Sequence, residues 1–268
     1  MPEPGSPHVE DVPLDGGRMT GGIVRRGDTV RRPMGSWSPA VHEFLRHLES
    51  VGFAGAPRVL GVEGGWEMLD YLDGEVAVDP DWQPGRGHRL PSYARSDAAL
   101  VGAGELLRDL HAKAASFVPT VVDYRLHPHP PTEGQIVSHG DLGPWNTVYR
   151  AGVPVAFIDW DGAQPVDPVV ELAAAAWTFV PLQPVGWLRE GGFDPVPSLP
   201  ARLRLFVDAY GLPDRRAILP ALTRCRLLGA EGIKYFPVST TGAAAALERI
   251  ARDLRWLDGI ATDLDAAL

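Results

Sequence analysis

The sequence contains very little cysteine and very little lysine. Cys225 is the only cysteine among 268 residues, which excludes an intramolecular disulfide and a cysteine-rich zinc site. Lys113 and Lys234 are the only lysines among 25 basic residues, and this dominance of arginine is typical of high-GC codon usage. Neither disulfides nor thiolate-bound zinc therefore contributes to the predicted fold.

Net positive charge and long hydrophobic runs are also absent. The formal net charge is −9, which argues against nucleic acid or an anionic membrane as a partner because both favour a basic surface. The longest apolar run, 172–182, is shorter than the roughly 20 residues that span a bilayer. The N-terminal stretch MPEPGSPHVEDVPLDGG lacks the basic and apolar parts of a secretion signal. These features predict a soluble cytoplasmic protein with no nucleic-acid and no membrane partner.

The first 75 residues predict a small sheet that carries one helix. The segments IVR and TVR flank a Gly27-Asp28 turn, and APRVLGVE and WEMLDYLDGE are further strand candidates. Between these pairs, apolar residues at helical spacing follow Ser38, the candidate N-cap, and Gly52 ends the helix. We place an N-terminal lobe at residues 1–72, ahead of a Pro- and Gly-rich stretch at 79–91.

Residues 73–268 predict a larger and mostly helical lobe. A strong helical pattern covers 96–117, and the segments TVYR and VAFID then predict a β-hairpin around a turn at Ala151-Gly152. From Asp167 onward the pattern is almost entirely helical. The predicted fold class is therefore α+β, with a small β-rich N-terminal lobe and a larger helical C-terminal lobe.

The stretch SHGDLGPWNTVYR, followed by VAFIDWDGAQP, places polar residues where packing does not require them. Asp141 lies on a tight loop and can accept a proton from a hydroxyl, while Asn146 and Asp159 supply the oxygen ligands that Mg²⁺ prefers. A positioned base and bridging metal ions are what phosphoryl transfer requires. The alternative is that these residues only cap turns. The agreement of several positions in order and spacing favours catalysis.

The same residues carry a resemblance to a known family. The pattern H-G-D-x-x-x-x-N, then I-D-W, then D-P-x-x-E-L-A resembles the aminoglycoside phosphotransferase family, which includes choline, homoserine and macrolide kinases. Val166 and Glu171 are mild departures from the Gly and Asp of its last motif. The resemblance implies a protein-kinase-like fold of two lobes. It also implies transfer of the γ-phosphate of ATP or GTP, with Mg²⁺, to a hydroxyl of a small molecule.

The resemblance also implies a role for each matching residue. Asp141 would be the catalytic base, and His139 would brace its loop by hydrogen bonding. Asn146 and Asp159 would hold Mg²⁺. The backbone of Asp70-Tyr71-Leu72 would form the hinge that binds the adenine ring.

The N-terminal lobe lacks the lysine that kinase-like enzymes use to contact the α- and β-phosphates. No lysine precedes Lys113, so Arg32, which shares a strand face with Val30, is the predicted replacement and Arg31 the second candidate. Glu43 on the following helix is the predicted partner of this arginine. The alternative is that both arginines are surface strand residues.

Glycine pairs surround the segment RMT just before the first strand pair. Gly16-Gly17 and Gly21-Gly22 could form a loop over the phosphates, where amide groups approach closely because glycine has no Cβ. A hairpin turn explains these glycines nearly as well.

The phosphate acceptor is left open by the residues. An aminoglycoside or another antibiotic is the leading hypothesis, and a metabolite alcohol such as choline or homoserine is an alternative. A cationic acceptor would suit acidic side chains in the C-terminal lobe. For the oligomeric state, we expect a monomer or a homodimer. The candidate acidic residues are Asp194, Asp208, Glu231, Asp258, Asp263 and Asp265.

A non-catalytic function is the rival hypothesis. RRGDTVRRP and the helix WSPAVHEFLRHLESVGF also resemble trifolitoxin immunity proteins, which suggests a kinase-fold protein that binds a ligand or toxin. The missing lysine favours this rival. The intact set of Asp141, Asn146 and Asp159 opposes it.

Overall fold

The N-terminal part of the chain forms a five-stranded antiparallel sheet that carries one helix. A computed structural model describes residues 10–14, 21–79, 81, 89–233 and 239–268; Gly16 and Gly17 lie outside these residues. The strand order is β1-β2-β3-β5-β4, and α1 connects β3 to β4. The elements are β1 (Val12–Pro13), β2 (Val24–Arg26), β3 (Thr29–Pro33), α1 (Ser38–Ser50), β4 (Val59–Glu63) and β5 (Trp66–Asp70).

Helix α1 forms where apolar residues recur at helical spacing. Its buried apolar face includes Phe44, Leu45 and Leu48. The helix ends just before Gly52, whose φ of 77° suits a residue without Cβ. Its N-cap is Trp37, one residue earlier than predicted, because the Ser38 hydroxyl accepts the Gly35 amide at 3.0 Å and does not cap the helix.

The C-terminal part combines two small sheets with most of the helices. One sheet has the order β6-β8-β9, and the other pairs β7 with β10. The strands are β6 (Glu75–Val76), β7 (Ile136–Ser138), β8 (Thr147–Arg150), β9 (Val153–Phe157) and β10 (Gln164–Val166). The helices are α2 (Asp97–Ala114), α3 (Pro168–Phe179), α4 (Val185–Glu190), α5 (Leu199–Tyr210), α6 (Ile218–Gly232) and α7 (Thr240–Ala267).

This arrangement confirms the predicted α+β class and its β-rich and helical parts. The hairpin around Ala151-Gly152 is confirmed as β8 and β9. Strands β7 and β10 were not predicted because each has only three residues, too few for a period-2 pattern. The lobe boundary at residue 72 stays a prediction.

One hydrophobic core runs from α1 into the C-terminal part of the chain. Phe44 lies 5.0 Å from Phe117 and 5.8 Å from Trp160, measured between ring centroids. The amide of Phe157 donates to the carbonyl of Gly55 at 2.9 Å. Helix α1 is therefore packed directly against the segment that holds Asp159. None of the helices within the described residues combines the length and the hydrophobicity that a membrane-spanning segment requires.

Candidate active site

The β8–β9 hairpin brings the two predicted metal ligands together. Asn146 precedes β8 and Asp159 follows β9, so both lie at the open end of the hairpin. The turn residues Ala151 and Gly152 have φ of 49° and 77°, which a two-residue hairpin turn requires. The amide of Ile158 donates to the Asn146 carbonyl at 2.9 Å. This bond extends the pairing one step beyond the strands and places Asp159 beside Asn146.

Asn146 is oriented by Asp141. Its Nδ2 donates to the Asp141 backbone carbonyl at 2.8 Å and to Asp141 Oδ2 at 3.0 Å. Both partners are acceptors, so they decide which end of the amide is the nitrogen. The carbonyl oxygen Oδ1 of this buried residue therefore remains available as a metal ligand.

Asp141 is an exposed residue on a loop that is otherwise densely packed. Its neighbours Leu142 and Asn146 on the same loop are buried. Desolvation by the surrounding protein is the main cause that raises the pKa of Asp141, and the charge of Asp159 raises it further. His139 and the Asn146 hydrogen bond act in the opposite direction. A raised pKa makes this carboxylate a better proton acceptor.

His139 is fully buried and braces the loop. Its Nε2 donates to the Ile158 carbonyl at 2.9 Å, and its Nδ1 faces the Asp141 amide at 3.3 Å. The ring lies 4.6 Å from the Trp160 ring. These contacts join the Asp141 loop to the segment that carries Asp159.

A second set of buried contacts joins the Asp141 loop to helices α2 and α3. Glu171 on α3 accepts the Gly140 amide at 2.6 Å and His111 Nε2 at 2.7 Å. The Tyr210 hydroxyl lies 2.8 Å from His111 Nδ1. Burial raises the pKa of Glu171, but the hydrogen bonds outweigh burial and hold it below its usual value. Asp167 caps α3, since its carboxylate accepts the Val169 amide at 2.9 Å.

Asp159 has a left-handed backbone and a half-open side chain. Its φ is 61° and its ψ is 64°, and its side chain is 40% exposed. Such conformations cost energy in residues other than glycine and concentrate at functional sites. Oδ1 of Asp159 accepts from Nη1 of Arg32 at 3.2 Å.

Arg32 is the arginine that reaches this centre. It is 7% exposed and forms ion pairs with Glu67, Asp159 and Asp161. Those charges hold the pKa of Arg32 above its usual range despite burial. Arg31 points to the opposite face of β3, where it lies 4.0 Å from Glu63.

The predicted pairing of Glu43 with Arg32 is wrong. Glu43 faces the C-terminal part of the chain, where its carboxylate accepts the amides of Thr120 and Val121 at 3.0 and 2.9 Å. Glu67 on β5 takes its place as the partner of Arg32. The carboxylate of Glu43 is committed to these backbone donors, so it cannot also orient the arginine.

The predicted hinge lies at the end of β5. The Tyr71 amide donates to the Asp28 carbonyl at 2.8 Å, so this donor is not available to an adenine ring. Asp70 is also engaged, because its Oδ1 accepts the Arg58 amide at 2.5 Å. The Arg25 guanidinium lies 3.6 Å from the centre of the Tyr71 ring. A role for Leu72 and for the Asp70 carbonyl in nucleotide binding stays a prediction.

Sequence reasoning missed Glu67, His42 and Arg125. Glu67 accepts hydrogen bonds from both Arg32 and His42, and Arg125 lies 3.6 Å from Asp161. A carboxylate between apolar residues of the strand WEMLD was the available signal, since such residues are rarely buried without a partner. The register that sets Glu67 opposite Arg32 could not be known from either strand alone.

The residues present fit a magnesium ion that is shared with a phosphate ligand. Within the described ranges, no group of three or more His, Cys, Asp or Glu side chains is arranged to hold a metal. Asn146 Oδ1 and the Asp159 carboxylate would supply two oxygen ligands from neighbouring segments, and the Asp159 side chain is 40% exposed. Mg²⁺ commonly takes one or two protein ligands and completes its shell with water and phosphate oxygens.

Two of the acidic residues considered for a cationic acceptor are already paired. Asp208 forms an ion pair with Arg215, and Asp265 lies 2.9 Å from Arg216. Asp258 lines a cavity of about 260 Å³ between α6 and α7. A surface that binds a polycation through Asp208 or Asp265 would first have to displace an arginine.

The sequence matches a family model and one curated protein. The model of the phosphotransferase enzyme family matches residues 120–206, which include Asp141, Asn146 and Asp159. The chain is also 38% identical over 203 residues to the trifolitoxin immunity protein of Rhizobium leguminosarum bv. trifolii. This match covers 74% of the chain and 72% of that protein.

Several solved structures share the fold at low sequence identity. A macrolide 2'-phosphotransferase, MphH from Brachybacterium faecium, has a TM-score of 0.51 at 16% identity and covers 87% of both chains. The ADP-bound aminoglycoside phosphotransferase APH(2'')-Ib has a TM-score of 0.56 at 12% identity, over 91% of this chain and 92% of that one. A choline/ethanolamine kinase family protein from Mesorhizobium loti has a TM-score of 0.54 at 18% identity, over 91% and 88%. The fold is therefore the kinase-like fold of these proteins.

Proposed function

Because the chain belongs to the phosphotransferase enzyme family, we propose that it transfers the γ-phosphate of ATP or GTP to a hydroxyl of a small molecule. The observation that carries this proposal is the position of Asn146. Its amide nitrogen is held by Asp141, and its backbone carbonyl is bonded to the residue before Asp159. The proposed base and both proposed metal ligands therefore form one unit.

The proposed reaction requires little covalent chemistry from the protein. The acceptor hydroxyl would donate its proton to Asp141, whose Oδ2 is already oriented by Asn146. The acceptor oxygen would form the new bond to phosphorus as the bond from phosphorus to the nucleoside diphosphate breaks. Catalysis of this kind depends mainly on positioning and electrostatic stabilisation.

Asn146 and Asp159 would hold Mg²⁺, with Arg32 close to the donor phosphates. The metal would neutralise the charge that develops on the phosphate oxygens. Asp159 and Arg32 are in contact across the two parts of the chain. His139 would keep the Asp141 loop and the Asp159 segment in register through its bond to Ile158.

We propose an antibiotic or another toxic small molecule as the acceptor. The supporting observation is the identity to a protein whose name states immunity to trifolitoxin. Structural neighbours include a complex with gentamicin and another with streptomycin and ATP. An aminoglycoside is therefore the first acceptor to test, followed by macrolides and simple metabolite alcohols.

Mass spectrometry of an acceptor panel incubated with the protein, Mg²⁺ and ATP or GTP tests this function. We expect the mass of one phosphoryl group on one acceptor class, and its loss in Asp141→Asn. Asp109→Asn is the matched control, because Asp109 is an exposed residue of α2. A product that forms equally well with Asp141→Asn would contradict the role of Asp141.

A second candidate function is protection by binding alone. The observation that favours it is Arg32, whose charge is already balanced by three carboxylates. Comparing bacteria that express the wild type or Asp141→Asn separates the two functions. A binding protein should protect equally well in both forms, whereas a phosphotransferase should lose its protection with Asp141→Asn.

A further inference from the structure

A buried set of ion pairs joins α1, β3, β5 and the Asp159 segment. We propose that Glu67 is the positioning residue that aims Arg32 at the phosphates of the donor nucleotide, and that His42 holds Glu67 in place. This inference rests on the proposed function, since it concerns the same nucleotide site. Glu67 on β5, held by His42, thereby takes the role of orienting Arg32 that the sequence predicted for Glu43.

Strand register places the two charged residues opposite each other. Arg32 on β3 and Glu67 on β5 are direct partners in the antiparallel ladder. Their side chains are 8% and 2% exposed, so the pair is shielded from water. Directly opposed residues on one face of a sheet lie within contact distance. The backbone register therefore places the two side chains within contact distance of each other.

The oxygens of Glu67 are divided between two partners. Oε1 accepts from Nε of Arg32, and Oε2 faces Nε2 of His42 on α1. Burial acts to raise the pKa of Glu67, but the contacts with His42 and Arg32 outweigh it and lower the pKa. Both carboxylate oxygens of Glu67 are thus engaged, one by Arg32 and the other by His42, and these two contacts fix its position.

This arrangement determines which edge of the guanidinium faces the site. Because Nε is held by Glu67, Nη1 and Nη2 extend toward Asp159 and Asp161. A planar guanidinium held at one edge presents its other donors in a fixed direction. The Nη1 contact with Asp159 is the longest of the three, at 3.2 Å, and it lies beside the proposed metal position. This donor is the one we assign to a phosphate oxygen.

Titration calorimetry with Mg²⁺-ATP and Mg²⁺-GTP tests the assignment without needing the acceptor. In Glu67→Gln the shape is kept but the charge is lost, and we expect nucleotide affinity to fall about tenfold or more. Glu63→Gln is the matched control, because Glu63 is 78% exposed and lies 4.0 Å from Arg31 on the other face of the sheet. We expect the control to bind like the wild type.

A double-mutant cycle separates positioning from a general effect on the sheet. If Glu67 acts through Arg32, adding Glu67→Gln to Arg32→Met should change nucleotide affinity by less than about twofold. A merely structural role of Glu67 would weaken binding by the same factor in both backgrounds. That second result would overturn the proposal.

His42 provides an independent variant if Glu67→Gln does not fold. His42→Gln keeps an N–H donor near Glu67 and should bind nucleotide nearly as the wild type does. His42→Leu removes that donor and should bind more weakly, with an unfolding midpoint that confirms a folded protein. Equal affinity in His42→Leu and the wild type would overturn the role of His42.

The failure of this inference is distinguishable from the failure of the proposed function. If the wild type binds no Mg²⁺-nucleotide, both are overturned. If the wild type binds and Arg32→Met weakens binding while Glu67→Gln does not, the nucleotide site stands and the positioning role of Glu67 is wrong.

Discussion

At the level of single residues, the lack of a side chain at Gly140 allows its loop to approach the segment that contains Gly162. Gly140 has φ of 76°, a conformation that L-residues rarely adopt. A Cβ at this position would overlap the carbonyl oxygen of Gly162 and lie 2.9 Å from Nε2 of Gln164. Glycine is therefore required between His139 and Asp141, where the protein-kinase motif has arginine.

Gly140→Ala should destabilise the protein by about 2 kcal/mol or more, because backbone strain and overlap act together. Gly64→Ala is the control, since Gly64 also has a positive φ of 57° but no atom lies within 4 Å of the position that an alanine methyl group would take. The control should cost only about 1 kcal/mol. Urea unfolding of both variants gives the two values. If both variants lost the same free energy of unfolding, the close contact with Gly162 would make no contribution to the cost of Gly140→Ala.

At the scale of elements, helix α1 is fastened to the C-terminal part of the chain. Glu43 accepts the hydroxyl of Thr120 at 2.6 Å in addition to the amides of Thr120 and Val121. Near the end of the helix, Nζ of Lys113 donates to the Val51 carbonyl at 3.0 Å. These contacts and the packing of Phe44 hold α1 close to the Asp159 segment.

Glu43→Gln should lower stability at neutral pH and leave nucleotide affinity unchanged. Burial raises the pKa of Glu43, but hydrogen bonds from Thr120 and Val121 outweigh it and lower the pKa. A lowered folded-state pKa stabilises the protein above the unfolded value of about 4.3. This stabilisation is lost as pH falls through the folded pKa. The difference from wild type should therefore shrink in acid.

Unfolding free energies at pH 7 and near pH 3.5, together with nucleotide titrations at pH 7, check this prediction. Glu49→Gln is the control on the same helix. Glu49 is exposed, and its ion pair with Arg58, at 3.5 Å, is also on the surface. A loss of nucleotide affinity in Glu43→Gln would show that Glu43 contributes to the nucleotide site, contrary to this prediction.

At the scale of the whole molecule, charge around the site predicts a requirement for metal. Arg32 and Arg125 face the carboxylates of Glu67, Asp159 and Asp161, so these five groups have a formal charge of −1. The whole chain also has a net charge of −9. A triphosphate approaching this region meets no net positive charge until a divalent cation is bound.

Nucleotide should therefore raise the unfolding temperature only when Mg²⁺ is present. With nucleotide at 100 times its Kd, binding adds about 2.7 kcal/mol to the free energy of unfolding. For a chain of this size that corresponds to an increase of several degrees in Tm, on the order of 5–10 °C. Thermal scans with Mg²⁺, with EDTA, and with Asp159→Asn measure it. An equal shift in EDTA would contradict the charge argument.

Residues that are close in sequence could be placed from the sequence. The spacing between Asp141 and Asn146 lies within one loop, and a two-residue turn allows little freedom in the β8–β9 hairpin. The hairpin then brings Asp159 to Asn146 as a consequence of its register. For the same reason, the helical spacing in α1 predicted its buried face.

The partner of Arg32 could not be placed in this way. Glu43 and Glu67 were both available carboxylates, and the pairing of β3 with β5 in the folded protein selects Glu67.

Short-range patterns along the chain are sufficient to predict the α+β class, the main helices, the hairpin and the order of the proposed catalytic residues. Long-range folding is needed to bring Glu67 to both Arg32 and His42, Glu43 to Thr120, and Glu171 to the Gly140 amide. These contacts join residues from 25 to 77 positions apart. A buried charge takes the partner that register and packing place within reach, and a single strand or helix does not contain that information.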